Sequence, residues 1–212
     1  MQSVGIVGAT GEVPSHAAIE LAADALDAGA LVGVPTDTVY ALVADVSYAG
    51  SADRLFALKQ RSRSQELPVI VADVDQALSV AIGVPEAAEH LMDKFWPGPL
   101  TIVLPRHPDF VADLGSDDGE TVGVRCPDHI VPRLLCEEVG PLAITTANRR
   151  GATVPATTAQ EVQATFGDSV GVVLDGGTCD GPMATVIDCT GIEPKLLREG
   201  AVPWADILKL VG

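Results

Sequence analysis

The sequence is poor in aromatic residues, in basic residues and in long apolar runs. Phe, Trp and Tyr make up 4% of the 212 residues, whereas the hydrophobic fraction is 47% and rests mainly on Ala, Val, Leu and Ile. No stretch approaches the roughly 18 uninterrupted apolar residues that a membrane helix requires. These shortages exclude a helical membrane protein and predict a soluble chain with a sizeable aliphatic core.

Positive charge is scarce throughout the chain. There are 13 Lys and Arg residues against 29 Asp and Glu residues, which gives a formal net charge of −16. Such a surface repels polyphosphate, so strong direct binding of nucleic acid is not expected. An anionic ligand would have to be held by a small local group of cations. The few Lys and Arg residues are therefore the most informative positions.

The cysteine and histidine patterns indicate neither disulfides nor a metal site. The four cysteines form no C-x-x-C pair, and the four histidines show no paired ligand spacing. The N-terminal segment MQSVGIVGATGEVP lacks the basic region and the long apolar region of a secretory signal. We expect a cytoplasmic protein with reduced thiols and without a metal held by protein side chains alone.

Three glycines near the N-terminus, Gly5, Gly8 and Gly11, have the spacing G-x-x-G-x-x-G. This spacing differs from the G-x-G-x-x-G fingerprint of dinucleotide-binding folds. Pro14 also interrupts the helix that such a fold needs directly after the glycines. The segment is therefore predicted to be flexible or to form an edge strand.

Helical and strand patterns alternate along the chain and predict an α/β fold. The predicted helices are Ser15–Ala28, Ala52–Lys59, Glu86–Phe95, Val131–Val139 and Ala159–Phe166. The predicted strands are Leu31–Val34, Pro68–Ala72, Leu100–Leu104, Thr121–Arg125, Leu142–Thr145, Gly171–Leu174, Thr185–Asp188 and Lys195–Leu197. Consecutive strands at the C-terminal end favour one domain, residues 1–212, with a twisted mixed sheet flanked by helices. The acidic stretch Asp113–Glu120 is predicted to be a mobile surface loop with little buried apolar area.

Two segments place polar or charged side chains beside predicted buried elements. The segment Pro35–Leu42 follows a buried strand, where open α/β sheets commonly bind ligands, although a capped turn explains it equally well. Lys59 lies on the same helix face as the apolar residues Ala52, Leu55 and Phe56. It could bind phosphate, together with Arg61 and Arg63 in the next loop, or it could complement the helix C-terminus.

Two further strand ends carry candidate binding residues. Arg125 ends an apolar strand, where a guanidinium can hold a carboxylate through two parallel hydrogen bonds, or can form an ordinary ion pair. Asn148 follows another apolar strand, and its amide suits contact with a nucleotide or phosphate as well as a simple turn.

Several separated motifs, in order, resemble those of the threonylcarbamoyl-AMP synthase (YrdC-like) family between about residues 15 and 202. The segment Pro35–Leu42 resembles P-T-[DE]-T-x-Y-[GA]-L, and Lys59-x-Arg61 matches K-x-R. The remaining matches are Phe95–Thr101 with W-P-G-P-x-T, Arg125 with G-x-R, Thr146–Asn148 with S-x-N, Ala184–Asp188 with S-T-V-[VI]-D, and Leu197–Gly200 with L-R-E-G. The chain departs from these motifs where Thr146 and Ala184 replace serines and where Ser62 and Glu66 stand in the usual places of prolines.

The resemblance implies a nucleotidyltransferase of the YrdC-like fold that acts in tRNA processing. Threonine, bicarbonate and ATP would give threonylcarbamoyl-AMP and pyrophosphate, with Mg²⁺ entering on the ATP phosphates. A separate transferase would then use the product to modify tRNA. The implied threonine-binding residues are Thr36, Tyr40, Arg125, Thr146 and Thr185, and the implied ATP-binding residues are Lys59, Arg61, Arg63, Asn148 and Arg198.

Two other functions remain open from the sequence. A related enzyme that handles a different carbamoyl donor is one, because Ala184 removes a hydroxyl and the loop after Arg61 is altered. An RNA-binding module is the other, and the net charge of −16 argues against it.

Overall fold

The computed structural model describes residues 5–11, 14–115 and 119–211. Its α-helices are α1 His16–Asp27, α2 Ser51–Lys59, α3 Val74–Val80, α4 Glu86–Phe95, α5 Ile130–Val139, α6 Ala159–Phe166 and α7 Trp204–Val211. Its strands are β1 Gly5–Gly8, β2 Val32–Val34, β3 Ala41–Asp45, β4 Val69–Ile70, β5 Leu100–Pro105, β6 Thr121–Arg125, β7 Leu142–Thr146, β8 Val172–Asp175, β9 Thr185–Asp188 and β10 Lys195–Arg198. Within these ranges, none of the helices combines the length and apolar composition that a bilayer span requires.

The strands form one mixed sheet in the order β1-β8-β2-β3-β7-β4-β6-β5-β9-β10. Four neighbouring pairs are parallel, namely β1 with β8, β2 with β8, β4 with β6 and β5 with β9. The other neighbouring pairs are antiparallel. The α/β class and the mixed sheet predicted from the sequence are confirmed, and β1 takes the edge-strand alternative.

Helices pack against both faces of the sheet. The first face is the one that carries Leu42 and Ala44 of β3, and the second face carries Ala41 and Val43. On β3, Leu42 and Ala44 pack into a large hydrophobic cluster with α2, α4 and α6, whereas Ala41 and Val43 pack into a smaller cluster with α1 and α5. Successive side chains of a strand point to opposite faces, so the two clusters lie on opposite sides of the sheet. Around β5, β6 and β9, this second face forms the wall of a cavity.

Three elements were not predicted from the sequence. The helix α3 spans only seven residues, Val74–Val80, and α7 lies beyond the predicted strands. The strand β3 begins inside the segment Pro35–Leu42, for which the sequence predicts a ligand-binding loop or a capped turn.

In the acidic stretch Asp113–Glu120, residues 116–118 lie outside the described residues. The expectation of little buried apolar area is wrong at Leu114, which is fully buried and whose carbonyl accepts a hydrogen bond from Leu67 N at 2.8 Å.

The end of α2 contains one residue in the left-handed region of backbone conformation. Gln60 has φ 46° and ψ 40°, and its N–H donates to Ala57 O. A side chain in this conformation costs more than glycine would. We expect Gln60→Gly to raise the free energy of unfolding by about 0.5–1 kcal/mol. Urea denaturation would measure this, with Gln60→Ala as the matched control; a gain for Ala equal to that for Gly would contradict it.

Candidate active site

The second face of the sheet carries a cavity of about 480 Å³, which lies within the usual size range of small-molecule sites. Its wall includes Thr121, Gly123 and Arg125 of β6, while Val122 and Val124 of the same strand pack into the large hydrophobic cluster. Because side chains alternate along a strand, every second residue of β6 faces the cavity. A side chain at position 123 would crowd the wall, because its Cβ would lie 3.3 Å from Pro68 Cβ.

Two arginines, Arg61 and Arg198, line this cavity, and backbone carbonyls accept hydrogen bonds from both. Arg61 donates from Nε to Gln65 O at 2.9 Å and from Nη2 to Glu66 O at 2.7 Å. Arg198 donates from Nε and Nη2 to Ala184 O at 3.2 and 2.9 Å. Burial lowers the pKa of both groups, and the positive charge of Arg198 lowers the pKa of Arg61 further.

Arg125 is a buried residue of the cavity wall, and three groups bind its guanidinium. Its Nε donates to Gly98 O at 3.1 Å, its Nη1 donates to Thr38 Oγ1 at 3.3 Å, and its Nη2 pairs with Asp37. The two side chains of the pair are only 9% and 13% exposed. Burial lowers the pKa of Arg125, and Asp37 opposes that effect. A guanidinium has five N–H donors, so two remain for a ligand.

The turn between α4 and β5 and the loop before β3 together surround Arg125. Gly98 belongs to the Pro–Gly–Pro turn after α4, in which Trp96 Nε1 donates to Leu100 O at 2.7 Å. Thr36 Oγ1 donates to Val39 O at 2.6 Å and accepts from Thr38 N at 3.1 Å, which fixes the loop that carries Asp37 and Thr38. The turn and the loop therefore orient the guanidinium of Arg125.

A second cavity of about 300 Å³ adjoins the first and shares Arg61, Thr145 and Thr146 with it. Lys59 lies in this second cavity at the end of α2. Its Nζ donates to Thr146 O at 2.8 Å, to Asn148 Oδ1 at 2.5 Å and to Asn148 O. Burial, together with the smaller effect of the neighbouring charge of Arg61, lowers the pKa of Lys59 to about 8.

The lowered pKa of Lys59 predicts a pH dependence of polyphosphate binding. The ammonium is present below about pH 8 and is lost above it. Raising the pH from 7 to 9 should weaken pyrophosphate binding about tenfold, because only the charged form attracts the anion. Calorimetric titration at both pH values would measure this. Lys59→Arg should be free of this loss, since arginine stays charged; an equal loss in that variant would exclude Lys59 as the titrating group.

The structure brings most of the predicted site residues together. Thr36, Arg61, Arg125, Thr146 and Arg198 line the first cavity, and Lys59 and Asn148 line the second. The side chains that sequence reasoning missed are chiefly Thr38, Thr101, Thr121 and Glu66 of the first cavity and Arg149 and Arg150 of the second. Alternation along β5 and β6 could have indicated Thr101 and Thr121, but only once the ligand-facing side of each strand was known.

Three predicted site residues do not line either cavity. Tyr40 is fully buried, and its hydroxyl donates to Gly177 O at 2.9 Å; burial raises its pKa. Thr185 is also fully buried, and its hydroxyl donates to Val202 O at 2.6 Å and accepts from Gly200 N at 2.9 Å. Arg63 pairs with Asp53 and Asp113 on the surface. Their polar groups bind other parts of the protein, and direct ligand contact by these three residues stays a prediction.

Comparison with known proteins gives the class to which this fold and site belong. The family model Sua5/YciO/YrdC, described as "Telomere recombination", matches residues 24–200. The chain belongs to the Sua5/YciO/YrdC family, and the resemblance noted from its motifs is confirmed.

Individual relatives cover most of this chain. A threonylcarbamoyl-AMP synthase of Pyrococcus abyssi is 38% identical over 196 residues, which span 92% of this chain and 57% of that protein. A Mycobacterium tuberculosis protein provisionally given the same name is 36% identical over 90% of this chain and 88% of its own length. The crystal structure of P. abyssi Sua5 complexed with L-threonine superposes with a TM-score of 0.90 at 35% identity, covering 98% of this chain and 61% of that one. The chain thus spans about three fifths of the P. abyssi protein.

Proposed function

We propose that this chain is a threonylcarbamoyl-AMP synthase, which forms threonylcarbamoyl-AMP and pyrophosphate from L-threonine, bicarbonate and ATP. The observation that carries the proposal is the way the cations of the joined cavities are held. Lys59, Arg61 and Arg198 donate to carbonyl and amide oxygens, and no ion pair among the described residues includes them. In that part of the chain no carboxylate neutralises these charges, so they can attract phosphate oxygens, and Arg61 and Arg198 also keep unused N–H donors. The names of the curated relatives support the same activity.

The two cavities suit the two parts of the reaction. The first cavity contains Arg125, whose remaining donors suit the carboxylate of the amino acid, beside the hydroxyls of Thr36 and Thr38. The second contains Lys59 and Asn148, which suit the terminal phosphates of ATP. Arg61 and Thr146 belong to both walls, so the α-phosphate would lie at the junction. The complex of P. abyssi Sua5 with L-threonine supports an amino-acid site in this fold.

The chemistry needs no side-chain nucleophile. The threonine amine and bicarbonate form a carbamate with loss of water. A carbamate oxygen then attacks the α-phosphorus, the bond to the β-phosphate oxygen breaks, and pyrophosphate leaves. Lys59, Arg61 and Arg198 would orient the phosphates and stabilise the developing negative charge.

Magnesium is proposed to enter with the nucleotide. Among the described residues, no group of three or more His, Cys, Asp and Glu side chains could hold a metal ion. The donors present therefore fit a cation carried on the ATP phosphates, which usually supply most ligands of Mg²⁺ apart from water. When bound, the Mg²⁺ ion would neutralise phosphate charge.

We further propose that the enzyme works in the cytoplasm and passes its product to a separate tRNA-modifying transferase. The enzyme itself would not bind tRNA strongly.

The test is the substrate dependence of pyrophosphate release. Purified protein with Mg²⁺ and ATP should release pyrophosphate only when threonine and bicarbonate are both present, and mass spectrometry should find the threonylcarbamoyl adduct of AMP. Equal release without threonine would contradict the proposal.

A second candidate rests on Ala184, which lines the first cavity where the family motif has a serine. The lost hydroxyl would fit a related enzyme that handles another carbamoyl donor. An AMP adduct formed with carbamoyl phosphate but not with threonine and bicarbonate would select this alternative.

A further inference from the structure

The second cavity has a basic wall that the sequence motifs account for only in part, since they include Lys59 and Arg61 but not Arg149 or Arg150. Its charged wall residues are Lys59, Arg61, Arg149 and Arg150, in a chain with only 13 Lys and Arg residues. None of the described residues that line it is an Asp or a Glu. In a protein of net charge −16, such a concentration of cations without lining carboxylates favours a polyanionic ligand.

The backbone turn at Gln60 connects Arg150 to the two cations of the K-x-R motif. Because α2 ends there, Arg61 N donates to Phe56 O at 3.0 Å, and Lys59 and Arg61 both reach the same cavity. The carbonyl of Gln60, the residue with φ 46°, accepts a hydrogen bond from Arg150 Nη1 at 3.0 Å. The guanidinium of Arg150 is thus fixed beside Lys59 and Arg61.

Arg150 keeps most of its hydrogen-bonding capacity. The bond to Gln60 O is the only hydrogen bond that the described part of the chain gives its side chain, so four of its five N–H donors remain available. Its neighbour Arg149 is arranged differently. The Arg149 guanidinium donates to Thr165 O and lies 6.0 Å from the centre of the Phe166 ring, at the end of α6. The two adjacent arginines therefore carry the same charge, but their guanidinium groups are bound at different places, that of Arg150 at the end of α2 and that of Arg149 at the end of α6.

We propose that Arg150 is a further phosphate-binding residue, which contacts the terminal phosphates of ATP and then the pyrophosphate product. The identity of the ligand rests on the proposed function, whereas the binding of a polyphosphate rests on the cavity itself. The first cavity would hold the α-phosphate at its junction with the second, where Arg61 and Thr146 are shared. The β- and γ-phosphates would then extend towards Arg150, which is exposed, so pyrophosphate has a direct way out to solvent.

Binding of inorganic pyrophosphate to the full chain tests this role without turnover. In calorimetric titrations, Arg150→Ala should weaken pyrophosphate binding about tenfold or more, because hydrogen bonds to charged groups are among the strongest. Arg149→Ala removes the same charge from the same wall and should cause a clearly smaller loss. Equal losses of pyrophosphate affinity in the two variants would show that Arg150 contributes only its positive charge. This result would overturn the proposal. Unchanged binding in Arg150→Ala would overturn it as well.

Steady-state kinetics separates binding from a merely structural role. Arg150→Ala should raise the KM for ATP and weaken product inhibition by pyrophosphate, while the KM for threonine stays within about twofold. A fall in kcat with both KM values unchanged would overturn the proposal. Failure of the proposed function is a distinct result: pyrophosphate would bind in an Arg150-dependent manner, but its release from ATP would not need threonine. Threonine-dependent release by a protein whose pyrophosphate binding ignores Arg150 would overturn only the role of Arg150.

Discussion

Replacement of Lys59 by Met should lower the rate of threonine-dependent pyrophosphate release by about 100-fold or more. The Lys59 ammonium is held in place by Thr146 O and by the side chain and carbonyl of Asn148 before any ligand arrives. A preorganised charge of this kind requires no rearrangement when negative charge develops on the phosphates, and loss of one such group typically costs a factor of about 10²–10³. Single-turnover measurement of pyrophosphate at saturating ATP would determine the effect on the chemical step.

The control for this experiment is an exposed lysine outside both cavities. Lys94 lies in the last turn of α4 and is exposed. Lys94→Met changes the net charge by the same amount, and it should leave the rate within about twofold. Threonine binding and thermal unfolding of Lys59→Met should also be compared with wild type, because the substitution removes three hydrogen bonds, to Thr146 O and to the carbonyl and side chain of Asn148. A rate for Lys59→Met within about threefold of wild type would exclude Lys59 from catalysis.

Replacement of Arg125 by Ala should reduce the free energy of unfolding by about 3–5 kcal/mol, because it leaves the carboxylate of Asp37 buried without its partner. The pair is almost fully enclosed, and Asp37 Oδ2 is already buried without a hydrogen-bond partner among the described residues. The double variant Asp37→Asn/Arg125→Met removes both charges and keeps similar volumes. It should recover a large part of the loss. Chemical denaturation of Asp37→Asn, Arg125→Met and the double variant gives the coupling energy.

The same variants separate stability from ligand binding. Arg125→Ala should also weaken threonine binding more than ATP binding, since Arg125 lines the first cavity, the proposed amino-acid site. The folded double variant should show the same selective loss of threonine affinity. Strictly additive losses of stability in the single variants would show that the pair is not coupled. Unchanged threonine affinity in the double variant would remove Arg125 from the amino-acid site.

The fold was predictable where elements are long and their apolar pattern is regular. The helices Glu86–Phe95 and Ala159–Phe166 and the strand Thr121–Arg125 have the predicted bounds. The short helix α3 was missed because its seven residues offer too few turns for a clear pattern. The strand β3 was missed because both its faces are buried, so its sequence ALVAD shows no alternation beside the preceding polar loop.

The site was only partly predictable, for a different physical reason. A motif shows which residues recur together but not the direction in which each side chain points. Tyr40 and Thr185 belong to good motif matches, yet their hydroxyls bind the backbone of neighbouring loops. Conversely, Thr101 and Arg150 reach the cavities through strand alternation and through a turn, neither of which a motif records. Arg63 lies just beyond the K-x-R turn and instead meets surface acids on α2 and in the loop before β6.

The position of Arg198 in the sheet has a consequence for the synthesis of the protein. Arg198 ends β10, which lies at one edge of the sheet and pairs only with β9, yet its guanidinium completes the first cavity beside Ala184. A nascent chain that is still shorter than this point can form much of the central sheet, but it lacks one of the cations of the proposed nucleotide site. ATP should therefore stabilise such a chain less than the complete protein. Full stabilisation by the nucleotide would begin only after residue 198 has left the ribosome and β10 has paired.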